Sequence, residues 1–184
     1  DQAGNAVFSH DGGRALLGLY VEALLGSWMT ELASGVEPRE LKPKHAPGLR
    51  GARPYDWHQA WIVYEGGDTG ARSLHVLDLS SGDDRTIVEG PGASFAAVSP
   101  DGRWMAYSAD ETGQWDVYVT SFPDGERRWR ISTAGGHQPR WNPRGGELFF
   151  LSSDRRLMSV RTSGLDTFQW DAPRELFQTA IVDL

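Results

Sequence analysis

Five histidines, His10, His45, His58, His75 and His137, are the side chains best suited to acid–base or metal chemistry in this chain of 184 residues. Their spacing excludes the commonest uses. No His-Glu-x-x-His pair places two imidazoles on one helix face, and with no cysteine there is no thiolate to complete a zinc site or a disulfide framework. A serine nucleophile needs a Gly-x-Ser-x-Gly elbow, and neither Gly26-Ser27-Trp28 nor Gly92-Ala93-Ser94 supplies one. Asp83-Asp84, Asp110-Glu111 and Asp124-Gly125-Glu126 lack the alternating oxygen ligands and terminal bidentate Glu of a calcium loop. They read as turns, where Asp and Gly satisfy local backbone groups. No carboxylate stands in an apolar setting that would raise its pKa for glycoside hydrolysis. The expectation is a chain with no catalytic residue, no metal and no cofactor.

What remains is recognition, and eight tryptophans are the obvious material for it. Their placement follows a repeat. Trp61-Ile62-Val63-Tyr64, Trp104-Met105-Ala106-Tyr107 and Glu147-Leu148-Phe149-Phe150 succeed one another at a spacing of 43 residues. A turn signal precedes the last two, as Ser99-Pro100-Asp101-Gly102 and Asn142-Pro143-Arg144-Gly145, and a more worn version begins the chain as Ser9-His10-Asp11-Gly12. Pro-Arg-Glu-Leu occurs twice, at 38–41 and 173–176. A period in the low forties, each with a turn and apolar runs, is the signature of β-propeller blades, which hide their apolar faces only by stacking.

The third unit shows the strands most plainly. Phe95 to Val98 is the first, Arg103 to Ala109 the second, Trp115 to Phe122 the third and Arg128 to Ser132 the fourth, with polar or Gly-rich turns between them. The Leu- and Ala-rich segment from Ala15 to Leu32 has helix propensity. Gly18 and Gly26 interrupt it, and Ser27-Trp28-Met29-Thr30 falls on a third-strand register, so two strands are expected. The fold expected is all-β: a propeller of four-stranded antiparallel blades, about four in this chain, at roughly 1–45, 53–90, 94–133 and 138–181. It forms one domain over 1–184, either part of a larger ring or a small or dimer-completed one.

The formal net charge of −7 and pI near 5.2 oppose a nucleic-acid backbone as partner. No apolar run reaches the length of a membrane span, and the N-terminus lacks a basic-then-apolar export segment.

The string from Val98 to Tyr107, followed by Asp116-Val117-Tyr118-Val119 and Phe122-Pro123, resembles the TolB-type, WD-like repeat of bacterial β-propellers. Trp129-Arg130-Ile131-Ser132-Thr133, Pro139-Arg140-Trp141 and Pro173 to Thr179 are similar to the propellers found C-terminal to bacterial serine/threonine kinases. The likeness is good over 53–181 and weak over 1–52. It implies a scaffold binding a protein, peptide or small ligand, possible self-association through blade edges, and a periplasmic or extracytoplasmic setting. It also implies an alternative, the gating propeller of a prolyl-oligopeptidase-like hydrolase whose catalytic domain lies elsewhere. In propellers, the loops entering each first strand and those between second and third strands share one face, the usual binding surface. On that basis Tyr55, Trp57 and His58, Phe95, and His137, Arg140 and Trp141 are the candidate binding residues. Aromatic anchors beside Arg and His donors suit an acidic or peptide-like ligand. Trp61, Trp104, Trp115, Trp129 and Trp170 are expected to lie on strands and pack between blades.

Overall fold

A computed structural model describes residues 5–19, 28–33, 36–41, 53–66, 72–90, 92–111 and 113–180. His45 and the Gly26-Ser27 pair lie outside them. Every regular element among the described residues is a β-strand. The described residues form seventeen strands in four antiparallel sheets, and the chain divides into two compact units, Asp1–Ala93 and Ser94–Leu184.

The first unit holds two sheets. Sheet A is β1 (Asn5–Phe8), β2 (Arg14–Leu19), β3 (Trp28–Ala33) and β4 (Val36–Leu41), paired in chain order. The segment from Ala15 to Leu32 therefore supplies β2 and β3, as its glycines suggest. Sheet B is β5 (Arg53–His58), β6 (Trp61–Gly66), β7 (Ser73–Asp78) and β8 (Asp84–Val88), again in chain order. Trp57, Ile62, Tyr64 and Leu77 form its buried face, with Val7 of β1 packed against them.

The second unit repeats the plan. Sheet C is β9 (Ser94–Val98), β10 (Trp104–Ala109), β11 (Asp116–Ser121) and β12 (Arg128–Arg130). Sheet D is β13 (His137–Trp141), β14 (Glu147–Leu151), β15 (Arg156–Ser163), β16 (Gln169–Trp170) and β17 (Arg174–Gln178). Its fourth position departs from the expected single strand. β15 pairs with β16 through Thr162 and Ser163 and with β17 through Arg156 to Ser159, so one outer edge is shared by two short strands. Pro173, which has no N–H to give a ladder, stands in the gap. Trp115 also differs from expectation, since β11 begins one residue later.

Between sheets C and D the core contains Trp104, Ala106, Val117, Val119 and Ile131 from one side and Leu148, Phe150, Val160 and Phe168 from the other. Alternation explains the membership, because cross-strand partners share a face and every second residue returns to it. Burying each of the Val, Leu, Ile and Phe side chains stabilises the pair of sheets by about 1.5–3 kcal/mol.

The first hairpin turns of sheets A and C agree atom by atom. Ser99 Oγ donates to Asp101 Oδ1 at 2.6 Å and accepts from Trp104 N at 3.0 Å, while Gly102 takes φ +70°. In sheet A Ser9 Oγ donates to Asp11 Oδ1 at 2.6 Å and accepts from Arg14 N at 3.0 Å, and Gly12 also has φ +70°. Here Asp satisfies a serine hydroxyl and a backbone amide, and glycine alone accepts the left-handed step without strain.

Candidate functional site

Register decides which end of a sheet each candidate residue occupies. The hairpin joining first and second strands marks one end, called here the hairpin end, and the loop joining second and third strands marks the other, the loop end. In sheet B the pair His58↔Trp61 closes the hairpin, and Arg53↔Glu65 lies at the loop end. Trp57 and His58 are thus at the hairpin end, and Tyr55 lies nearer the loop end. In sheet D His137↔Leu151 is at the loop end and Trp141↔Leu148 near the hairpin. The seven candidates therefore do not share one end. Tyr55, Phe95 and His137 lie toward loops, whereas Trp57, His58, Arg140 and Trp141 lie toward hairpins.

In the first unit the hairpin-end residues join sheet A to sheet B. His10 N donates to Trp57 O at 3.1 Å, and Ser9 bridges Trp57 in parallel register. His10 Nε2 lies 2.9 Å from Asp56 Oδ1, and His10 Nδ1 lies 2.9 Å from His58 Nδ1. Its hydrogen bond to the Asp56 carboxylate raises the His10 pKa above its ordinary 6.5, against an opposing effect of burial. Protonated His10 can donate at both nitrogens, to the carboxylate and to a neutral His58. Trp57 is fully buried with Arg14 over its ring at 4.4 Å, so it cements the two sheets. Tyr55 donates from its hydroxyl to Glu65 Oε2 at 2.5 Å.

In the second unit the inner strands β9 and β13 each carry a bulge at the loop end. Phe95 and Gln138, 43 residues apart, sit in those bulges with φ +56° and +54°. A phenylalanine in that region is strained, and its ring rests edge-on to Trp115 at 6.4 Å. Gln138 N is held by Ser108 Oγ at 3.1 Å.

The hairpin end of the same unit contains a cleft of about 460 Å³. Trp104, Trp141 and Phe168 line its inner part, with Asp101, Arg144 and Leu165 among the residues around it. Trp141 is fixed by its Nε1, which donates to Ala97 O at 2.9 Å. Phe168 lies within 5.4 Å of Trp104, 5.4 Å of Trp129, 6.3 Å of Trp141 and 5.6 Å of Trp170, ring centre to ring centre. The Gly164–Phe168 segment is tied down from sheet C, where Arg103 donates to Leu165 O at 2.9 Å and Arg127 to Asp166 O at 3.0 Å. Of the candidates, only Trp141 lines this cleft. Sequence reasoning missed Phe168, Arg103 and Arg127, whose roles depend on a loop after the third strand. The one available signal was Phe168 two residues before Trp170 in an otherwise polar stretch.

Among the described residues no three His, Asp or Glu side chains converge as a metal site would require, and no helix is long and apolar enough to cross a membrane.

No protein-family model matches the chain. An uncharacterized protein of Agrobacterium fabrum is 31% identical over 84 residues, which is 44% of this chain and 28% of that protein. Among solved structures, a protein assigned as a TolB from Agrobacterium tumefaciens superposes with a TM-score of 0.69 at 25% identity, over 95% of this chain and 66% of that one. TolB from Acinetobacter baumannii gives 0.68 at 12% identity, over 96% and 44%. Prolyl oligopeptidase B from Galerina marginata gives 0.64 at 12%, over 95% and 27%. The chain spans less than two thirds of the length of each.

Proposed function

The chain has the fold of a TolB-type β-propeller, and from that premise we propose that it is a non-catalytic scaffold binding a protein, peptide or small ligand, as the sensing part of a bacterial signalling protein. The observation that carries the binding reading is the cleft between sheets C and D. Its volume of about 460 Å³ suits a small ligand or one or two side chains of a peptide. Aromatic rings line its inner part, and the exposed Leu165 and Arg144 stand where a ligand would meet them. A site of this kind reads shape and one or two polar groups, and it needs no nucleophile.

The test is an amide NMR titration of the full chain with N-acetyl-phenylalaninamide as probe. Shifts concentrated at Gly145, Gly146 and Thr162 to Leu165 are expected, with binding weakened about threefold or more by Leu165→Ala. Leu165 is 69% exposed, so this variant should fold normally. Shifts absent there, or clustered around Phe95 and Gln138 instead, would reject the cleft as the binding site.

A further inference from the structure

Two hairpin turns of one repeat border the aromatic cleft, and they carry opposite charges. In sheet C the turn is Ser99-Pro100-Asp101-Gly102, and 43 residues later in sheet D it is Asn142-Pro143-Arg144-Gly145. Asp101 has a structural task there, because its Oδ1 accepts from Ser99 Oγ at 2.6 Å and from Arg103 N at 3.3 Å. Asp11 has the same task in sheet A, accepting from Ser9 Oγ and Gly13 N. In sheet D the side chain of Asn142 takes it over. Its Oδ1 accepts from Arg144 N at 3.0 Å and its backbone oxygen accepts from Gly145 N at 2.8 Å, so the turn closes without the side chain at 144. That position carries an exposed arginine, whose guanidinium makes no hydrogen bond or ion pair among the described residues.

Among the described residues, Asp101 and Arg144 are the charged members of the cleft lining, and they are unequally engaged. Besides its turn bonds, Asp101 has Arg103 Nε at 3.9 Å from its Oδ2. Arg103 and Arg127 are themselves engaged, donating to the backbone oxygens of Leu165 and Asp166. The neighbouring acids Glu147, Asp166 and Asp171 lie outside the lining, and Glu147 accepts from Ser159 and Arg174. Arg144 is therefore the charge at the cleft that is left to a ligand. Thr162 and Ser163 bring two hydroxyls to the same lining.

We propose that the ligand of this cleft carries a carboxylate beside its apolar group, and that Arg144 is the residue that selects for it. The C-terminal residue of a peptide and a small aryl-substituted acid share this chemistry. The inference rests on the cleft being the binding site, and adds to that reading what the ligand must bear. A guanidinium meets a carboxylate through two parallel N–H donors, and hydroxyls donate to its remaining lone pairs. The aromatic inner part takes the apolar group, whose contact salt does not screen.

The experiment extends the amide NMR titration of the full chain to three probes. N-acetyl-phenylalanine carries the carboxylate, N-acetyl-phenylalaninamide is neutral, and phenethylamine is a cation. The acid should bind about fivefold more tightly than the neutral amide, the upper end for an exposed ion pair, and the advantage should shrink as salt is raised. Arg144→Gln should abolish the preference and Arg144→Lys should keep part of it. Asn142 closes the turn in both variants, so their thermal midpoints should match that of the parent chain. N-acetyl-Ala-Ala-Phe against 3-phenylpropionate then separates the two sources: tighter binding of the first identifies a peptide end, and of the second a small acid, either upholding the carboxylate. Equal affinity for acid and amide, or a preference that survives Arg144→Gln, would overturn the proposal while leaving the cleft as the site. Tighter binding of phenethylamine would do the same, making Asp101 the selecting group. Absence of shifts at the cleft with every probe would overturn the site and this proposal together.

Discussion

At the scale of single residues, the most instructive position is His10, which stands where the repeat elsewhere has proline. Proline would rigidify the turn. Histidine instead reaches across to Asp56 and His58 and ties one sheet to the next. Its pKa is raised on folding, so folding favours the protonated form. The stabilisation is complete below 6.5, its ordinary value, and is lost as pH climbs through the raised folded value. Comparing urea unfolding of the chain with Asp56→Asn should show a larger gap at pH 5.5 than at pH 8.5, by less than about 1 kcal/mol given the partial exposure of the pair. A gap that grows toward alkaline pH would contradict the assignment. Asp116 offers a second test. It is 1% exposed and accepts from Ser132 Oγ at 2.6 Å and Arg130 at 2.9 Å, so Asp116→Ala should cost about 2–3 kcal/mol by leaving those donors without an acceptor. Chemical denaturation measures it. None of these pairings could be read from the sequence, since His10 lies 46 residues from Asp56.

At the scale of elements, strands were legible because their signals are local. Gly102 and the Ser99–Asp101 pair fix a hairpin whatever surrounds it, and alternation then fixes which side chains go inward. Long-range placement was not legible. Arg140 and Trp141 are sequence neighbours, yet the pleat sends one to the outer face of sheet D and the other into the cleft. The register that separates them depends on the bulge at Gln138, a two-against-one mismatch that carries no composition signal. The segment after β15 was equally hidden, and glycine substitution probes it. A Cβ on Gly164 would lie 1.9 Å from Thr167 O, at φ +97°, whereas one on Gly145 would meet nothing within 4 Å at φ +77°. Gly145→Ala should therefore cost about 1 kcal/mol, from backbone strain alone, and Gly164→Ala distinctly more. Thermal unfolding of the two variants checks the order. Hydrogen exchange should likewise protect β10 and β14, which are paired on both sides, far longer than β17, whose five residues are all exposed.

At the scale of the whole molecule, the acidic balance governs behaviour in solution more than any single contact. With a pI near 5.2 the chain should be least soluble near pH 5 and should disperse at neutral pH, which light scattering across pH 4–8 would show. The tryptophans, finally, are unevenly shared. Trp104, Trp129, Trp141 and Trp170 all surround Phe168, and the indoles of Trp104 and Trp129 meet edge to face at 5.7 Å between centres. Chromophores that near couple their electronic transitions, so the near-ultraviolet circular dichroism of the protein should carry a strong band belonging to the second unit. Nature has thereby installed an unlabelled optical gauge: melting of that half can be followed by its own colour, apart from the other.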